Sequence, residues 1–111
     1  MRLLRHADFE LVYKQGRRHF ATHMTVFYRR RESGKGLRIG FTVGRVLGGA
    51  VERNRMKRRL REAVRLQGPG ESGSVDVVIN PKKSLLTADF SEIRKEVARA
   101  FAVIQKSADM R

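Results

Sequence analysis

Residues 51–65 read VERNRMKRRLREAVR, with seven basic side chains (Arg53, Arg55, Lys57, Arg58, Arg59, Arg61, Arg65) against two acids, Glu52 and Glu62. Wound at about 100° per residue, the stretch predicts an amphipathic helix. Met56, Leu60, Ala63 and Val64 gather on one side, Asn54, Arg58, Arg61 and Arg65 fall opposite, and Arg55 and Lys57 take the borders. One face is built to dock and the other to carry charge. The cationic face is broad and rich in Arg, whose planar fork binds phosphate bidentately, so it suits a polyanion better than a single carboxylate. The helix reads as one that contacts nucleic acid; a solvated charged surface or an acidic membrane is the competing explanation. A membrane-lying helix needs large apolar residues for the lipid, and here Met56, Leu60 and Val64 are required by the core.

The rest of the chain fits that reading. A chain of 111 residues is enough for one domain, 1–111, with one core. The net charge is +14, and such an excess repels itself unless a polyanion neutralises it. Hydrophobic residues make up 41% of the chain in regular periods, which separates it from a disordered basic tail. There is no cysteine, so disulfides, thiolate metal sites and thiol nucleophiles are excluded, and a cytoplasmic location is expected. The beginning, MRLLRHADFE, lacks the apolar run of a signal peptide, and no stretch approaches the roughly 20 apolar residues that span a bilayer.

In order along the chain, Phe9, Val12 and Tyr13 have helical spacing over 7–14, and Gly16 is a natural stop. A short strand is expected near 18–22 and a firmer one over MTVFYRR, 24–30. After a turn at 31–36, Leu37, Ile39, Phe41 and Val43 alternate as a half-buried strand, antiparallel to its predecessor. The glycines of 44–50 precede the basic helix, and QGPGESGS at 67–74 follows it as a connector. VDVVI at 75–79 is apolar enough to be central, covered on both faces, and Pro81 ends it. A last helix is expected over 89–106, with Asp89 and Glu92 at capping-box spacing, and the tail after it to fray. The order α-β-β-β-α-β-α predicts a four-stranded sheet with three helices, an α+β two-layer sandwich.

This order, together with DFELVYKQG at 8–16, LRIGFTVGRVLGGAVERNRMKRRLRE at 37–62 and VDVVINPKK at 75–83, resembles the protein subunit of bacterial ribonuclease P. The resemblance covers nearly the whole chain, and the middle block is its specific part. It implies a left-handed β-α-β crossover through the basic helix, against the general right-handed rule. It implies that Arg53, Asn54, Arg55, Lys57, Arg58 and Arg61 face a catalytic RNA, ribonuclease P RNA. A cleft between the first helix and the sheet, with Phe9, Tyr13, Val26 and Tyr28 and with Arg45 and Lys82 at its margins, would hold the single-stranded 5′ leader of precursor tRNA. The reaction implied is magnesium-dependent removal of that leader, with the catalytic centre and most of the Mg2+ ligands in the RNA.

The residues themselves offer little for protein-based catalysis. No carboxylate pair stands out as a two-metal site, there is no nucleophile elbow, and His6, His19 and His23 fall in no zinc-ligand pattern. GPGESG at 68–73 matches a dinucleotide fingerprint in letters only, since it follows a helix and precedes a strand. No membrane and no small-molecule substrate is expected as a partner. The alternative to the ribonuclease P reading is a noncatalytic RNA-binding or ribosomal structural protein using the same helix.

Overall fold

A computed structural model describes residues 2–3, 6–31, 36–68 and 74–109. Most of the turn expected at 31–36, most of the connector at 67–74 and the end of the tail lie outside these residues. The elements are β1 (Arg2–Leu3), α1 (His6–Gln15), β2 (Arg17–Phe20), β3 (Met24–Arg30), β4 (Leu37–Phe41), α2 (Ala50–Gln67), β5 (Val75–Pro81) and α3 (Phe90–Asp109). Short 3-10 turns occupy Arg45–Leu47 and Lys83–Leu86.

The sheet runs in the order β1-β4-β5-β3-β2. The four longer strands and three helices are those expected; the two-residue β1, paired parallel to β4, is an addition. β4 runs antiparallel to β3, as expected, but does not pair with it: β5 lies between them, antiparallel to β3 and parallel to β4. The burial of β5 explains its place. Val75, Asp76, Val77, Val78 and Ile79 are all buried, and only a central strand has both faces covered. A parallel pair cannot be closed by a hairpin, so the link from β4 to β5 is a crossover, which α2 provides.

Alternation divides each strand between two layers. Met24, Val26 and Tyr28, with Ile39, Val77 and Ile79, belong to the main core that also takes Met56, Leu60, Ala63 and Val64 of α2 and Ile93, Val97 and Ala100 of α3. Each of the larger side chains contributes about 1.5–3 kcal/mol by leaving water, so Met56, Leu60 and Val64 fix which face of α2 looks inward. The opposite sheet face carries Thr25, Phe27, Arg29, Asp76, Val78 and Asn80, and α1 lies across it with Val12 fully buried. Gly16 makes that layer possible. Its N–H donates to the Val12 carbonyl at 2.9 Å, and a Cβ there would sit 2.3 Å from that oxygen and 2.6 Å from the Tyr28 carbonyl.

A charged pin holds the same layer. Asp76 is 1% exposed and accepts from Arg31 at 2.6 Å and from Arg38 at 2.8 Å on each of its two oxygens. Arg38 also reaches Asp8 of α1 at 3.4 Å. The Asp76 hydrogen bond raises the Arg38 guanidinium further above its ordinary pKa. Breaking such a buried cluster by removing one partner costs about 3–5 kcal/mol, so these arginines belong to the fold.

Candidate nucleic-acid interface

The cationic helix begins where the backbone needs a special conformation. Gly48 has φ +139°, a region side chains rarely adopt, and Glu52 reaches back to accept the Gly49 N–H at 3.2 Å. The Arg53 N–H then donates to the Gly49 carbonyl at 3.0 Å, starting the helical ladder. Met56, Leu60, Ala63 and Val64 are at most 1% exposed, as their spacing predicts.

The basic residues of α2 divide into three groups. Arg59 turns inward and donates to the carbonyls of Leu85 at 2.6 Å, Leu86 at 2.8 Å and Ala88. It ties α2 to the turn before α3, a structural task. Arg65 is exposed and pairs with Glu62 at 2.5 Å, which holds the Glu62 carboxyl below its ordinary pKa. Arg53, Arg55, Lys57, Arg58 and Arg61 remain, with the amide of Asn54 among them. Asn54, Arg55, Arg58 and Arg61 are exposed, and Arg53 and Lys57 half-buried. None of these five cations forms a salt bridge with a described acid; Glu52 is committed to the helix start and Glu62 to Arg65. The Arg53 Nε is buried without an acceptor. Five cations on one flank therefore keep their charge uncompensated.

The second feature lies on the α1 side of the sheet. Tyr13 is 37% exposed and its hydroxyl donates to Asn80 Oδ1 at 2.9 Å, with Thr42 Oγ1 also at 2.9 Å. Its ring meets Phe27 edge-on at 4.8 Å and 84°, and the Arg18 guanidinium lies over Phe27 at 5.7 Å. Phe9 is half-buried on the same helix. Arg45 is exposed in the 3-10 turn before α2, and exposed Lys82 directs its Nζ to the Ala21 carbonyl at 3.2 Å.

Two expected cleft residues are displaced. Val26 is 0% and Tyr28 8% exposed, both packed in the core on the far side of the sheet, beneath α2 and α3. The strand lies where the sequence predicts it, but the resemblance's placement of Val26 and Tyr28 in the cleft fails, and the side chain that meets Tyr13 is Phe27 between them. Arg18, Thr42 and Asn80 were also missed. Alternation in MTVFYRR separates Phe27 from Val26 and Tyr28, but only pairing with β5 shows which set faces which helix.

Among the described residues no three His, Asp or Glu side chains converge as metal ligands. No described helix is long and apolar enough to cross a membrane.

A mixed α+β sandwich with an uncompensated cationic helix on one flank and a partly exposed aromatic cluster on the other defines a class of small basic domains. Residues 1–105 match the profile of the family Ribonuclease P. The ribonuclease P protein component of Symbiobacterium thermophilum is 40% identical over 100 residues, covering 90% of this chain and 87% of that one. The ribonuclease P protein of Thermotoga maritima is 27% identical, with a TM-score of 0.75 and 96% of each chain covered. That of Staphylococcus aureus, at 22% identity and TM-score 0.78, covers 92% of this chain and 93% of its own and shares the fold. The chain belongs to the ribonuclease P protein family, whose ribonucleoprotein is a tRNA-processing endonuclease.

Proposed function

We propose that this protein is the accessory subunit of a ribonuclease P, binding the catalytic RNA through α2 and the 5′ leader of precursor tRNA along the α1 crevice. The observation that carries the reading is the set of five α2 cations without acidic partners, beside a sixth, Arg59, spent on the fold. Arg53, Asn54, Arg55, Lys57, Arg58 and Arg61 form the contact to ribonuclease P RNA, and Arg65 joins it by exchanging Glu62 for phosphate. In the crevice, Tyr13 and Phe27 offer ring faces and edges to unpaired bases, Asn80 and Thr42 polar atoms, and Arg18, Arg45 and Lys82 charge for the backbone. Phe9, one turn before Tyr13 on α1, joins the leader contact.

Protein cations between two RNAs lower their mutual repulsion, and a held leader fixes the scissile phosphate relative to the catalytic RNA. Hydrolysis and the magnesium it uses belong to the RNA in this reading; the protein binds and orients. The compartment is the cytoplasm, where precursor tRNA is made. The test is reconstitution with a ribonuclease P RNA and precursor tRNA at low magnesium. The expected result is faster formation of the mature 5′ end with protein than without. No stimulation would leave a noncatalytic RNA-binding protein.

A further inference from the structure

A groove on the α3 side of the β2 edge takes no part in either surface. It consists of two adjoining hollows, of about 300 and 240 Å3, that share Thr22, Glu96 and Arg99. Phe20, 69% exposed, lines the first hollow and Lys95 the second. Glu96 is only 9% exposed and accepts the His23 backbone N–H through Oε1 at 3.0 Å; among the described residues no donor reaches its Oε2. His23 cannot supply one by turning its ring, because Nδ1 is held by Ser84 Oγ at 2.8 Å and Nε2 by Glu92 at 3.1 Å. A carboxylate offers about four lone-pair sites, so Glu96, which lines both hollows, keeps accepting capacity beyond the His23 N–H.

A ligand that fits must bring hydrogen-bond donors for Glu96, a flat apolar face for Phe20 and negative charge for Lys95 and Arg99. A guanine nucleotide brings all three, since guanine alone among the bases carries two adjacent donors, N1–H and N2–H2, on its Watson–Crick edge. Adenine and cytosine set a ring acceptor beside their amine, and uracil sets a carbonyl on each side of its N–H. Unpaired bases are read in this way, by stacking and by their Watson–Crick edges. We propose that the groove between the β2–β3 turn and α3 binds a guanine of single-stranded RNA, with Glu96 reading the base, Phe20 stacking on it and Lys95 and Arg99 holding phosphate. The site is independent of the crevice on the α1 face and adds a second single-strand contact to the protein.

The test titrates the intact protein, followed residue by residue by NMR, with the pentamers UUGUU, UUAUU and the inosine analogue of the first, which lacks the N2 amine. Salt is kept high enough to suppress nonspecific phosphate binding. UUGUU is expected to bind roughly tenfold or more tighter than UUAUU, the usual reward for a hydrogen bond to a charged group, with the inosine strand between them. Signals of Phe20, Thr22, Glu96 and Arg99 should move. Glu96→Gln keeps an acceptor for the His23 N–H but can present an amide donor to the groove, and should abolish the guanine preference. Equal binding of the first two pentamers, or shifts confined to α2 and the Tyr13 crevice, would overturn the proposal. The comparison among pentamers needs no variant, so it decides the matter even if Glu96→Gln unfolds.

Discussion

Arg58 and Arg59 are adjacent and chemically identical, yet the fold gives them opposite tasks. Arg59 satisfies the carbonyls of Leu85, Leu86 and Ala88, whereas Arg58 meets none of the described acids. Arg59→Ala leaves those acceptors without their charged donor and should lower stability by about 2–3 kcal/mol in urea titrations, while Arg58→Ala stays within about 0.5 kcal/mol. Nothing in RMKRRLRE distinguishes the two, because the partners of Arg59 lie 26–29 residues further along. Tyr13 is a more legible case, since helical spacing placed it on the inner side of α1. Its 37% exposure and its contact with Phe27 make it half support and half open surface. Tyr13→Ala should weaken precursor tRNA binding by about 1–3 kcal/mol, the worth of a stacked base, and mature tRNA binding much less. Equal losses in a filter-binding comparison would remove Tyr13 from leader contact.

At the scale of elements, α2 was read well because one signal, a 3.6-residue period, decides both its existence and its orientation. The four apolar side chains on one face can be buried only by the sheet and α3, and the cations follow by default onto the other flank. Arg53→Ala with Arg55→Ala should therefore reduce affinity for ribonuclease P RNA by tenfold or more, at about 1–2 kcal/mol for each lost charged contact, while the circular dichroism spectrum and melting midpoint stay close to the parent's. An unfolded double variant would mean that the buried Arg53 Nε has a structural task instead. The strands were harder. MTVFYRR gives a strand and its alternation but not which set of side chains faces α1; the resemblance put Val26 and Tyr28 there, and the fold puts them in the main core. Glu92 illustrates a similar limit, because its spacing from Asp89 suits a capping box and its carboxylate is directed at His23 instead.

For the molecule as a whole, composition announced the charge and the element order announced the sandwich. Strand neighbours were not readable, since the central strand β5 is the last to be made and inserts between two already present. A charge of +14 on a domain with Cα radius of gyration 13.3 Å is a dense positive field. If about six phosphates are neutralised on assembly, the logarithm of the RNA binding constant should fall with the logarithm of salt at a slope of about −4 to −5. A titration giving a slope near zero would place the binding energy in neutral contacts rather than in the cations of α2.

Gly16 is the joint between α1 and β2. Its Cα comes so near the last-turn carbonyl of Val12 and the carbonyl of Tyr28 on the neighbouring strand that not even a methyl group fits, and any substituent there acts as a wedge between the end of the helix and β3. The chain can therefore leave the helix and enter the sheet edge without a spacer. A single methyl at this position is enough to unseat the hand-over, however well the rings of Tyr13 and Phe27 are kept.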